Sequence, residues 1–179
     1  FFNNKLQNAY TRKLDELLGQ IAVSNQEANS SWSDARKLEM NMRETVYTAN
    51  GEEEISPQAG ELIISRTKAE RIFKDDFENL DPDNLYGFII RYPHDNEATM
   101  PVRYRVSTQK DLEDSFYMDE NLMLTIQGDF DGDKPTLFGS KNDGENSYIK
   151  LLNEVYTKMS RREFIKSLLK FEWLWTSKN

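Results

Sequence analysis

The chain has 179 residues, of which 37% are hydrophobic and 30% charged, and its formal net charge is −8. It contains no cysteine and a single histidine, His94, which excludes disulfides, thiolate metal sites and most histidine-based catalytic groups. The acidic balance argues against nonspecific nucleic-acid binding, and no apolar run reaches the roughly 18 residues of a transmembrane helix.

Apolar residues at helical spacing predict three helices in residues 1–80. The first helix carries its apolar stripe over residues 6–21. The second runs over residues 33–48 and stops at Asn50-Gly51, because glycine readily takes the left-handed conformation that ends helices. The third opens at Ser56-Pro57, where serine can cap the helix and proline suits its first turn.

The hydrophobic period then changes to two, which predicts a β-hairpin part over residues 85–139. A short helix is expected within it at residues 109–116. We expect the face with Phe88 and Ile90 to pack with the face that carries Val102 and Tyr104. The predicted strands are residues 85–92, 102–107, 122–127 and 136–139.

The C-terminal part, residues 146–176, is predicted to be helical. Ser160 and Glu163 fit a capping box, which would start a separate last helix over residues 161–176. The alternative is one uninterrupted helix. Together these parts predict one α+β domain over residues 1–179, with N-terminal helices and one or two C-terminal helices packed on a small antiparallel β-sheet.

A loop with alternating carboxylates is the sharpest local motif, and it contains Asp129, Asp131 and Asp133 between glycines. Carboxylate oxygens around a tight turn are ligands that Ca²⁺ prefers, so these three aspartates form a candidate calcium site. The loop resembles the calcium loops of integrin-type FG-GAP repeats. Those proteins repeat the motif many times, whereas it occurs once in this chain. The alternative interpretation is an Asp-Gly turn that carries solvated charge.

Three arginines are candidates for binding a partner or an anion, namely Arg91, Arg103 and Arg105. If the two central strands pair, these guanidinium groups lie on neighbouring strands, and arginine binds carboxylates and phosphates in a bidentate manner. The alternative is a solvated sheet face on which the arginines pair with nearby aspartate and glutamate.

Two tryptophans close to the chain end, Trp173 and Trp175, are candidates for a partner contact. Residues two apart lie about 200° apart around a helix, so both cannot share one narrow stripe. We expect one of them to pack inward and the other to be exposed or to contact a partner. The alternative is that both are buried between helices and sheet.

The residue pattern favours a non-catalytic structural or interaction module that acts through protein–protein contacts in a surface or multi-protein assembly. The partner is expected to be another protein or a second copy, and no cofactor is expected unless the aspartate loop binds Ca²⁺. Catalysis is disfavoured because no nucleophile elbow or phosphate loop accompanies His94. The alternatives are a calcium-binding extracytoplasmic domain and a hydrolase that uses paired carboxylates.

The expected location is outside the cytoplasm or on a particle, since cysteine is absent and Phe1-Phe2 precedes a polar amphipathic segment. These first residues predict the remnant of a removed membrane anchor. Such an anchor would be the means by which the protein associates with a membrane. The middle of the chain is acidic, whereas residues 147–179 carry a net charge of +4. This asymmetry predicts pairing within the chain first and between protomers second.

Overall fold

β-Strands dominate the structure, a computed structural model that describes residues 30–32, 34–90, 99–126, 130 and 135–158. Nine strands and three α-helices are present in these ranges, with a short 3-10 helix at Phe77–Asn79. The strands are β1 Ser30–Trp32, β2 Asp34–Lys37, β3 Glu44–Thr48, β4 Gly51–Ile55, β5 Glu61–Ser65, β6 Leu85–Ile90, β7 Thr99–Ser107, β8 Ser115–Met118 and β9 Thr136–Gly139. The helices are α1 Arg66–Phe73, α2 Glu120–Thr125 and α3 Asp143–Lys158.

All nine strands belong to one mixed sheet that curls into a half-barrel, with the main order β1-β9-β6-β7-β5-β8-β2. Strand β5 runs parallel to β7, and β2 runs parallel to β8, whereas the other pairs are antiparallel. The β3–β4 hairpin joins this sheet through the pairing of Val46 with Ser107.

The predicted fold class is wrong, because the described chain is mostly one mixed sheet and not a set of helices on a small antiparallel sheet. Strands β2 and β3 occupy the range predicted as a second helix, residues 33–48. Asn50-Gly51 does not end a helix: Ala49 and Asn50 form the turn of the β3–β4 hairpin, and Gly51 begins β4. Gly51 takes a φ of 111°, which an L side chain rarely adopts. The first predicted helix lies outside the described residues.

The third predicted helix begins nine residues too early. Residues Glu61–Ser65 form strand β5, which is buried on both faces, and a continuous apolar run of this kind is typical of a strand enclosed on both sides. Helix α1 begins after Ser65, whose hydroxyl oxygen accepts a hydrogen bond from the backbone N–H of Lys68 at 3.0 Å. The N-cap is therefore Ser65 and not Ser56.

Two further assignments between residues 109 and 127 are wrong. The predicted helix at residues 109–116 is a turn that leads into β8, and the strand predicted to begin at residue 122 is replaced by helix α2, which ends at Thr125. The predicted strands over β6, β7 and β9 are confirmed, as is a helix over α3. The predicted break at Ser160 lies outside the described residues.

The largest core cluster lies on one face of the sheet and includes Leu85, Ile89, Val102 and Tyr104. Phe88 and Ile90 belong to a second cluster, in which Phe88 stacks on Phe138 at 4.8 Å. The expected packing of Phe88 with Tyr104 on one face is therefore wrong. In the antiparallel register Tyr104 lies opposite Leu85, so Phe88 points to the other face.

Candidate functional site

Six of the predicted site residues lie outside the residues that the structure describes. They are Arg91, Asp129, Asp131, Asp133, Trp173 and Trp175. The calcium site and the tryptophan contact therefore stay predictions. His94 lies outside the described residues as well. Within the described ranges, no group of three or more histidine, cysteine, aspartate or glutamate side chains is arranged to hold a metal ion.

Strand β7 brings Arg103 and Arg105 together on one face, and each contacts an acidic neighbour. Arg103 Nη2 donates to the backbone oxygen of Asp83 at 2.7 Å, and its Nη1 lies 3.5 Å from the carboxylate of Glu61. Arg105 Nη2 lies 3.7 Å from the carboxylate of Asp83, and its side chain is only 9% exposed. These contacts hold both guanidinium groups against the sheet.

A cleft of about 330 Å³ opens beside Arg103, between the sheet and helix α3. Its floor comes from three different strands, β5, β6 and β7, which contribute Glu61, Tyr86 and Arg103. The loop before β5 forms one rim, and the last turns of α3 form the other. The lining residues are Gln58, Ala59, Glu61, Tyr86, Arg103, Asn153, Glu154 and Thr157.

The close approach of α3 to the loop before β5 requires a glycine at position 60. Gly60 has a φ of 81°, and a Cβ placed there would lie 2.6 Å from Thr157 Cγ2 and 3.0 Å from Asn153 Nδ2. Asn153 Nδ2 donates to the backbone oxygens of Gly60 and Pro101 at 3.1 and 3.3 Å. One asparagine thus ties the helix to the rim and to β7.

Charges of both signs meet in the cleft, but they are not equally paired. Glu61 accepts a hydrogen bond from the backbone N–H of Gln58 at 2.8 Å and also faces Arg103. Glu154 has no ion pair or side-chain hydrogen bond with another described residue. Burial raises the pKa of Tyr86, while the positive charge of Arg103 opposes this rise. The phenol is therefore neutral at physiological pH.

A second exposed feature is the free edge of β4, which pairs with β3 alone among the described strands. Glu52, Glu53 and Glu54 follow one another along this strand and are exposed, and we call them the acidic edge. Glu54 pairs with Arg43 at 2.6 Å, whereas Glu52 and Glu53 have no ion pair with described residues. The strand leads directly into the loop that forms the rim of the cleft.

Sequence reasoning missed the cleft and the acidic edge because both depend on strand assignment. Glu61, Arg103 and Tyr86 become neighbours only through long-range pairing of β5, β6 and β7. The acidic edge had a local signal, since the dipeptide Asn50-Gly51 is common at hairpin turns. That signal was assigned to a helix end.

No family model and no curated protein matches the chain. Among solved structures, it is similar to the crystal structure of the computationally designed msDPBB_sym2 protein, at a TM-score of 0.40 and 12% sequence identity. The match covers 62% of this chain and 99% of the designed protein. In the described ranges, no helix is both long and apolar enough to cross a membrane.

Proposed function

We propose that this protein is a non-catalytic interaction module that binds a basic polypeptide segment of a partner protein as an added strand along β4. The observation that carries this proposal is the acidic edge on a strand whose outer side is unpaired within the described sheet. An unpaired strand offers backbone donors and acceptors to an extended peptide. The glutamates then select for lysine and arginine in that peptide.

Charge also decides between the two kinds of partner. A second copy of the chain that paired β4 with β4 would place glutamates opposite glutamates, and like charges directly opposite are destabilising. A basic segment would instead form cross-strand ion pairs with Glu52 or with Glu53, which lie on opposite faces of β4. The net charge of −8 favours encounter with such a segment and opposes self-association. We propose a location outside the cytoplasm or on a particle for this module, as the sequence predicts.

The direct test is amide hydrogen exchange of β4 with and without a short peptide of alternating lysine and valine. Strand addition should protect the β4 amides that face away from β3, while those that pair with β3 change little. Binding measured by fluorescence anisotropy should weaken as NaCl is raised from about 50 to 300 mM, because exposed charges are screened. A peptide with proline at alternate positions, which cannot complete a ladder, is the backbone control.

The double variant Glu52→Gln and Glu53→Gln should weaken binding of the lysine–valine peptide by about threefold to tenfold, since each exposed ion pair contributes up to about 1 kcal/mol. Glu39→Gln with Asp111→Asn removes the same charge at two exposed turn positions and should leave affinity unchanged. Equal weakening by both double variants would contradict the proposal. So would β4 amides that are already protected before the peptide is added, since another part of the chain would then cover the edge.

A further inference from the structure

We infer that the cleft beside Glu154 is a binding site for one protonated amine or guanidinium group. This inference goes beyond strand addition on β4, because it concerns a different surface and a ligand of single-group size. The volume of about 330 Å³ lies at the lower end of small-molecule sites. A basic side chain of a partner or a free small amine has the matching chemistry.

The first argument is a carboxylate without a counter-charge among the described residues. Lys150 lies four residues before Glu154 on α3, at the spacing where a helical ion pair forms. Instead, Lys150 Nζ donates to Asn84 Oδ1 at 3.2 Å. Arg103 is likewise engaged by Asp83 and Glu61. Both of these cations are therefore engaged elsewhere, so among the described side chains no counter-charge neutralises the carboxylate of Glu154, and a cationic ligand would do so.

The second argument is the surplus of hydrogen-bond acceptors. Asn153 uses its Nδ2 on two backbone oxygens, and Gln58 donates its Nε2 to the backbone oxygen of Ser56 at 3.0 Å. The amide oxygens of both side chains accept no hydrogen bond from another described residue. With the carboxylate of Glu154, they provide acceptors for the several N–H donors of an ammonium or guanidinium group.

The third argument is the aromatic floor. Arg103 Cζ and Lys150 Nζ each lie 5.9 Å from the ring centroid of Tyr86 and fix the position of the ring. The ring lines the cleft and supplies an apolar surface for the alkyl stem of a lysine or arginine. An anion would meet Glu61 and Glu154 at the same place, so the cleft disfavours carboxylate and phosphate ligands.

The test is a titration of the protein with butylammonium and butylguanidinium, followed by NMR chemical shifts of the Asn153 and Gln58 side-chain amides. Both cations should shift these signals, whereas butyrate should not. Glu154→Gln should weaken cation binding at least about fivefold, because a charged hydrogen bond is lost. Glu39→Gln removes an exposed glutamate outside the cleft and should have no effect. Absence of shifts with either cation, or equal weakening by both variants, would overturn the inference.

A further arm distinguishes the two sources of the cation. If a partner side chain is the ligand, the lysine–valine peptide should shift the Asn153 and Gln58 signals, and butylammonium should displace it from the cleft. If a free amine is the ligand, the peptide should leave these signals unchanged while butylammonium still binds. Exchange protection of β4 reports strand addition separately, so failure of one proposal leaves the other measurable.

Discussion

Replacing Gly87 by alanine is expected to abolish the cooperative fold. Gly87 lies in the middle of β6, between Val102 of β7 and Gly139 of β9. A Cβ at this position would overlap the backbone oxygen of Phe138 and lie 2.8 Å from Tyr104 Cε2. Because a backbone atom cannot move without breaking strand pairing, the cost should exceed about 4 kcal/mol, a large share of the stability of a typical domain.

Thermal unfolding followed by far-UV circular dichroism measures this effect. The matched control is Gly144→Ala in the first turn of α3, where an added Cβ would meet only Asn142 Oδ1 at 3.4 Å. Alanine is the better helix former, so this control should be neutral or more stable by up to about 1 kcal/mol. A Gly87→Ala protein that melts cooperatively near the wild-type temperature would contradict the pairing of β6 with β9.

Replacing Tyr104 by phenylalanine should lower the free energy of unfolding by about 1–3 kcal/mol. The Tyr104 hydroxyl is fully buried and donates to the backbone oxygen of Phe138 at 2.8 Å, with Phe88 O at 3.4 Å. Removing the hydroxyl leaves a buried carbonyl without this donor, and the ring keeps its shape. Urea denaturation measures the difference. Tyr117→Phe removes a hydroxyl that makes no hydrogen bond with described residues and should change stability by less than about 0.5 kcal/mol.

The difference in stability between wild type and Tyr104→Phe should decrease at high pH, because of the ionisation of Tyr104. Burial raises the pKa of Tyr104 well above its usual value, although the hydrogen bond to Phe138 opposes this rise. Above about pH 10 the phenol ionises in the unfolded chain while it stays protonated in the fold. The stabilisation from Tyr104 is thus complete below this pH and is lost above it. Denaturation at about pH 8 and 10.5 should show a smaller difference at the higher pH, and an unchanged difference would contradict a buried neutral phenol.

The local residue pattern predicted some strands correctly. It failed where the secondary structure is determined by pairing with a distant strand. Leu85–Ile90 and Thr136–Gly139 alternate or run as β-branched and aromatic residues, and they are strands. Glu61–Ser65 has equally strong strand residues, but Leu62, Ala69 and Phe73 also fit helical spacing. Pairing with Arg103 and its neighbours forty residues later selects the strand. No window of local sequence contains that information.

The error at residues 33–48 has a different cause. The spacing of Ala35, Leu38, Met42 and Val46 fits a helical stripe, but only Val46 is fully buried. Met40 and Asn41 form a turn, in which Asn41 takes a left-handed φ of 63°. Ala35 pairs with Phe116 in a parallel strand that the sequence does not reveal locally. Hydrophobic period alone could not separate two short strands from one helix.

The candidate site was predictable only in part. Arg103 and Arg105 were identified from their places on a strand, and β7 does place them side by side. Their partners, Glu61 and Asp83, could not be predicted from the sequence. Strand β5, which carries Glu61, and the turn before β6, which carries Asp83, come close to β7 only in the folded chain. Glu154 could not be distinguished from other helical glutamates, since its lack of a counter-charge follows from where Lys150 is held.

The order of strands in the sheet has a consequence for how the chain reaches its native state. Within the described sheet, β1 pairs only with β9 and β2 pairs only with β8. The first two described strands therefore cannot pair until the last two have been synthesised. During synthesis, a nascent chain that ends before Thr136 cannot form the pairings of β9 with β6 and β1. Folding should therefore be slow and largely post-translational, as is usual when long-range pairing dominates. Shortened chains that lack β9 should aggregate in the cell, where their unpaired β6 edge remains open.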